Sequence, residues 1–444
     1  QGKGRDTAIF HFSFSIFHSD RMFRKFLLLF TVPDLRTKTL FVLGILAISR
    51  VAAAIPVPGA DPARLKTFLA GNQFFGLLNI FSGGVLENLS IAMLGVGPYI
   101  TASIIMQLGT MIVPRLKEIY QEEGEAGRER FNQYSRLLAV PLAFLQGYGL
   151  LVLLVRQQVL PPLDIFGYAS NLIIIAAGTM FLVWLGELIN EQGIGNGISL
   201  LILAGIVSSF PRALQQEFFA FRPEMLPAYI GFAIVSLIVI AGVVVVSEGE
   251  RAIPVSYAKR IRGMRVYGGT STYLPLRVNQ AGVIPIIFAV SIILFPGLIG
   301  SFLSGVPHPA AQQASAFLVT LFNNQWIYGV VYFFLVVAFT YFYTAVTFDP
   351  QQIAENLQRQ GGFILGIRPG RPTAEYLIRI LSRITVAGAV FLGVIAVLPL
   401  FVQAIFPIRA LTTGGTALLI VVSVIIETVK QVNAQLVMRE YERI

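Results

Sequence analysis

Apolar residues run along this chain in long unbroken blocks. Stretches 230–246 and 327–346 hold almost nothing but aliphatic, aromatic and small side chains. Runs of this length suit a bilayer-crossing helix, which needs about 20 apolar residues. A transmembrane barrel would instead show segments of about ten residues with alternating polarity. The pattern predicts ten spans, at residues 38–56, 88–113, 136–156, 168–190, 194–210, 227–247, 278–303, 326–347, 380–402 and 413–432. Segment 67–84 is too short and too rich in glycine to cross, and reads as a re-entrant half-helix. The predicted fold class is an all-α polytopic membrane protein.

Ten spans divide into five and five. The predicted organisation is a first half over 38–210, an external connector over 211–226 and a second half over 227–432. Around these lie a cytoplasmic amphipathic segment at 22–37, cytoplasmic loops at 248–277 and 348–378, and a cytoplasmic tail at 433–444. Residues 1–21 form an N-terminal extension with no recognisable pattern, and Met22 is the expected natural start. An odd number of spans per half sets two related halves in opposite orientations, the inverted-repeat arrangement known from transporters.

Composition agrees. Of 444 residues 55% are hydrophobic and 13% charged, with mean hydropathy +0.73. A soluble domain carries roughly 25% charged residues. In lipid the backbone must satisfy itself, which helices do. The net charge of +10 is unevenly placed. With the N-terminus cytoplasmic, 26 Lys and Arg fall on the cytoplasmic side and 7 on the other. That bias predicts both termini in the cytoplasm.

Candidate chemistry is sparse. Zero cysteines exclude disulfides and thiol catalysis, and three scattered histidines offer no obvious metal site. No span carries a central Asp, Glu, Lys or His, which ion-coupled transporters and pumps need. No Walker loop, His-Glu-x-x-His or Ser/His/Asp arrangement occurs. The expectation is a protein with no reaction and no cofactor of its own, driven from outside. The two long basic loops suggest a docking surface for a cytoplasmic partner.

Several stretches carry a resemblance. They are Phe81-Ser82-Gly83-Gly84, then Gly97-Pro98-Tyr99-Ile100-Thr101, then Trp184-Leu185-Gly186-Glu187 leading into Gly193-Ile194-Gly195-Asn196-Gly197-Ile198-Ser199. Further on come Tyr257-Ala258-Lys259-Arg260, Ala281-Gly282-Val283-Ile284-Pro285, Gly366-Ile367-Arg368-Pro369-Gly370 and Gly414-Gly415-Thr416. Together, in this order and spacing, they resemble the SecY family, the central subunit of the bacterial protein-conducting channel. The resemblance runs from about residue 36 to the end and omits residues 1–21.

The resemblance implies a clamshell of two five-helix halves with a waist of aliphatic side chains at Val96, Ile100, Ile198, Ile202, Ile287 and Ile420. Taken singly, each would be ordinary core packing; the set of six on four helices favours a pore. A ring of branched aliphatics is stiff and dewets, so it blocks ions while yielding to a passing chain. The half-helix 74–88, with Phe74, Phe75, Gly76, Phe81, Ser82, Gly83 and Gly84, matches the family's plug. Thr101, Gln107, Ser135 and Asn279 match a lateral gate, where facing polar side chains would form a weak latch. Lys259, Arg260, Arg265 and Arg368 match the docking site for the motor ATPase SecA and the ribosome.

The implied function is a passive channel that carries unfolded polypeptides across a bacterial cytoplasmic (inner) membrane and releases apolar signal or transmembrane segments into lipid. SecE and SecG are the implied small subunits. Two other readings stand beside it: an inverted-repeat secondary transporter of small solutes, and a membrane enzyme or insertase acting on lipid.

Overall fold

The computed structural model describes residues 33–58, 86, 89–219, 223–257, 260–262, 265–267, 271–303, 308–405 and 414–442. A helix lies on each of the ten predicted apolar stretches. These are α1 (Pro33–Ala54), α2 (Gly97–Ile112), α3 (Gly124–Arg156), α4 (Ile165–Gln192), α5 (Gly197–Phe219), α6 (Leu226–Glu248), α7 (Ile284–Leu303), α9 (Gln325–Thr347), α11 (Arg371–Ile405) and α12 (Gly414–Glu442). Two more are α8 (Pro309–Asn323) and α10 (Pro350–Arg359). Among the described residues six helices are long and apolar enough to cross a bilayer, and α5 and α7 contain shorter apolar stretches.

Local chemistry sets the ends. Asp164 caps α4 by accepting a hydrogen bond from Gly167 N at 2.8 Å, and Gly193, at φ 70°, ends that helix in the left-handed conformation. Asn324 Oδ1 accepts from Trp326 N and Ile327 N to start α9. Pro114 follows α2, and the chain bends by 114° there. Two predicted spans begin as helix six or more residues late: 88–113 starts helically at Gly97 and 278–303 at Ile284. Their first residues are turns that bring the backbone past Gly95 and Gly282, both at positive φ.

The mostly helical fold also carries strands, in the two long loops that the charge bias assigns to the cytoplasm. The two long loops meet in a three-stranded antiparallel sheet ordered β4 (Ser271–Arg277), β1 (Glu250–Tyr257), β5 (Gly362–Ile364). Its register runs from Glu250↔Arg277 to Ser256↔Ser271, with Val255↔Ile364 on the other edge. At the end of this hairpin β2 (Arg260–Arg262) pairs with β3 (Arg265–Tyr267). The loops carry no long strand pattern, but Ile253 and Val255 are buried on either side of the exposed Pro254, the period-two signature. They pack with Leu276, Ile364, Leu377, Ile380 and Ile384 into a small separate core.

The main apolar core draws on both halves, from Val42 and Ile45 of α1 to Ile286 and Ile287 of α7 and Val424 of α12. A second core joins Leu86, Leu89 and Met93 to Leu150, Leu151 and Leu154 of α3. Gly178 lets α4 approach the Ile91 backbone so closely that a Cβ would overlap its carbonyl.

Candidate functional site

All six ring candidates join one apolar cluster. Val96, Ile100, Ile202, Ile287 and Ile420 are buried within it, and the half-buried Ile198 packs against it. Val96 immediately precedes α2, and Ile100 follows one turn in. Ile198 and Ile202 occupy the start of α5, which is firmly built: Asn190 Oδ1 accepts from Gly197 N at 2.7 Å and Asn196 Oδ1 from Ser199 N at 3.2 Å. Ile287 comes from α7 and Ile420 from α12.

Helix α7 packs against both α2 and α3. Of the four predicted gate residues, Thr101 and Gln107 lie on α2, Ser135 on α3 and Asn279 just before α7, and none of them hydrogen-bonds another among the described contacts. Thr101 Oγ1 accepts from Gln146 Nε2 at 3.3 Å, tying α2 to α3. Gln107 donates to Ser103 Oγ on its own helix at 3.1 Å. Ser135 donates to Phe131 O at 3.0 Å. Asn279 donates to Gly282 O at 3.1 Å. The Gln107 Oε1 and Asn279 Oδ1 atoms are buried with no hydrogen-bond partner. Ser135 and Asn279 thus bond nearby backbone carbonyls, Gln107 bonds a hydroxyl on its own helix, and only Thr101 bonds a neighbouring helix. Gln146 was not visible to sequence reasoning, since one glutamine within α3 carries no motif.

Arg368 is exposed in the turn between β5 and α11. The turn is rigid: Gly366 and Gly370 hold φ of 81° and 94°, Ile367 N donates to Ile364 O at 3.0 Å, and Thr373 Oγ1 donates to Arg368 O at 2.9 Å. Arg371, Arg379 and Arg383 are exposed on α11 beside it, a basic face the sequence reading did not single out. Arg260 and Arg265 fall on β2 and β3. Lys259 lies outside the described residues, as do all seven plug candidates, Phe74, Phe75, Gly76, Phe81, Ser82, Gly83 and Gly84. The chain around the latter is pinned where it leaves and returns, by Val57 N donating to Leu89 O at 2.7 Å and Ile91 N to Ile55 O at 2.9 Å.

Two ion pairs join neighbouring helices near their ends. Arg136 of α3 pairs with Glu187 of α4. Lys430 of α12 pairs with Glu248 of α6 at 2.7 Å and donates to Ser247 O at 3.1 Å. No group of three or more His, Asp or Glu placed to hold a metal occurs among the described residues.

A profile of the SecY family matches residues 90–429. The chain belongs to the SecY family. It is 44% identical over 431 residues to the protein translocase subunit SecY of Streptomyces coelicolor, covering 93% of this chain and 97% of that one. To the same subunit of Mycobacterium tuberculosis it is 45% identical over 429 residues, covering 92% and 96%. Among solved structures it shares its fold with a protein-conducting channel at TM-score 0.63 and 22% identity, covering 89% of this chain and 91% of that one. It also matches Sec61 in a canine ribosome–channel complex at TM-score 0.59 and 21% identity, with the same coverage. The SecY-family match spans every ring, gate and docking candidate and begins after the plug candidates.

Proposed function

We propose that this chain is the conducting subunit of a protein translocase: a passive channel that passes unfolded secretory polypeptides and releases transmembrane segments sideways into lipid. The observation that carries this is the gathering of six branched aliphatic side chains, from α2, α5, α7 and α12, in one buried cluster at the meeting of the two halves. A stiff apolar constriction of this kind repels hydrated ions yet makes no specific demand on a passing chain. Membership of the SecY family supports the reading, and the names of its relatives set it above the small-solute transporter.

In this reading α1–α5 and α6–α12 form the two halves of a clamshell, with both termini cytoplasmic. The seam of α2 and α3 against α7 is the lateral gate, and the segment over 74–88 is the plug. SecA or the ribosome docks on the basic cytoplasmic loops through Arg368, Arg260, Arg265 and Lys259. SecE and SecG brace the exposed outer helices, and the membrane is the bacterial inner membrane. The exposed edges of the sheet's small core, carried by two loops at once, give such a partner a stiff platform.

Site-specific crosslinking tests the path. A cysteine at Ile287, in the otherwise cysteine-free chain, faces a stalled precursor carrying a single cysteine. The control position is Leu237, which is exposed on α6, whereas the nearby Val239 is buried in the core. A disulfide at Ile287 and none at Leu237 is expected. Absence of crosslinks at all six ring positions, with the precursor engaged, would move the path elsewhere.

A further inference from the structure

Helix α8 sits at the end of α7 and α9 remote from the sheet, since β4 precedes α7 and β5 follows α9. At about 100° per residue its side chains fall on three flanks. One rests on α7: Ser315 is buried, Ala311 and Leu318 are half-buried, and Ser315 Oγ donates to Gly300 O at 2.6 Å. The second carries Ala310, Ala314, Phe317 and Leu321, at the i, i+4, i+7, i+11 spacing of a single stripe. It is wholly apolar and turned away from α7, with Phe317 65% exposed. The third carries Gln312, Ala316 and Thr320, all exposed. In water the second flank would stand uncovered.

Two further observations say what covers it. Trp326, 69% exposed, lies in the first turn of α9, three residues after α8 ends. It meets the exposed Phe401 near the end of α11 edge to face, with ring centroids 5.8 Å apart. Large amphipathic aromatics at the ends of apolar spans mark the headgroup level of a bilayer, so α8 joins α9 at that level. The second observation is charge. From 278 to 348 the chain carries no Asp, Glu, Lys or Arg, so α8 offers no charged side chain to an oppositely charged partner. We propose that α8 is seated in the bilayer leaflet remote from the sheet, the outer one in the orientation given above. Phe317 and Leu321 reach the acyl boundary, and the Gln312 flank lies among the headgroups. The partner is lipid, held by apolar contact and not by charge. Through the bond from Ser315 to Gly300, this seating fixes the depth of that end of α7. The inference rests on the membrane-channel reading above.

Spin labels on single cysteines read the seating, because the chain has no cysteine of its own. Phe317→Cys and Ala316→Cys are neighbours, so they share a depth along α8 while lying on different flanks. Each is reconstituted as the channel complex in phosphatidylcholine vesicles. Relaxation of the label by oxygen, which concentrates in lipid, is compared with relaxation by a water-soluble nickel chelate. The expected oxygen-to-nickel ratio is severalfold higher at 317 than at 316, and it stays within about twofold when anionic phosphatidylglycerol is added. Equal ratios at the two positions would put both flanks in one solvent. A label at 317 reached by neither reagent would put a protein partner on the flank. A ratio that needs anionic lipid would mean a charged contact. Each of these overturns the proposal. If the label at 317 prevents assembly, Ala314→Cys on the same flank replaces it and is read in the same way. Phe334→Cys, exposed on α9, is the control for the membrane reading. A label there that oxygen does not reach would sink that reading and this proposal with it, whereas failure at 317 alone sinks only the seating of α8.

Discussion

Replacing Gly388 by alanine probes how the three-stranded sheet reaches the proposed gate. Gly388 lies on α11 against Val278, the residue that follows β4 and precedes Asn279. A Cβ there would sit 2.5 Å from the Val278 carbonyl oxygen, where ordinary contact begins at 3.4 Å. One partner must therefore retreat by about 0.9 Å. Val278 is held from the other side, its N–H donating to Gly249 O at 2.8 Å. Overpacking of this kind costs about 1–3 kcal/mol. Alanine in place of glycine within a helix returns about 1 kcal/mol. The net penalty on the closed state is about 0–2 kcal/mol, and 1 kcal/mol is about a fivefold change in a two-state population. Global unfolding should hardly shift, while the closed–open balance of the seam moves measurably. The assay is driven translocation, in proteoliposomes, of a precursor with a defective signal, scored against the intact precursor. The expected result is about fivefold more passage of the defective precursor with little change for the intact one. Gly149→Ala is the control, since a Cβ there meets nothing within 4 Å. If Gly388→Ala and Gly149→Ala both behave as wild type, the seat of Val278 does not communicate with the proposed gate.

Other expectations follow from single contacts. Thr101→Val deprives the buried Gln146 amide of its acceptor and should lower stability in detergent by about 1 kcal/mol, read as a fall in Tm; an unchanged Tm would mean Gln146 finds another partner. Lys430→Met leaves the mostly buried Glu248 carboxylate unpaired, costing about 1–3 kcal/mol, below the 3–5 of a fully buried pair, and Lys430→Met/Glu248→Gln should recover much of it. Arg368→Ala should weaken binding of SecA or ribosomes and make the remaining binding less sensitive to salt, without altering Tm, because the exposed side chain supports no packing. Ile202→Ser should raise resting ion conductance by wetting the constriction; a tight bilayer seal in that variant would argue that Ile202 is core packing alone.

How much was legible in the sequence depended on the range of the forces involved. Helix positions were readable because continuous apolar runs have one solution in lipid, and a helix lies on each predicted span. Ends were less so: α7 starts at Ile284 and not at residue 278, because Asn279 and Gly282 form a polar turn within an otherwise apolar run. The ring candidates came from the resemblance, and burial of Ile420 or Ile287 has no signature that separates a pore from a core. The gate candidates were readable as polar positions in apolar spans, but not their partners, since Gln146 meets Thr101 only when α3 lies beside α2.

The sequence by itself determined the membrane setting, the ten helical stretches, the bias of positive charge and the family, because each is a property of composition or local order. Only the tertiary structure decided that loops 248–277 and 348–378 join in one sheet, that α7 closes on α2 and α3, and that Gln435 rests on Gly193. These contacts pair residues far apart in the chain. Their partners are chosen by backbone approach at Gly193, Gly195 and Gly388, where the absence of a Cβ matters only once a second element is placed against it.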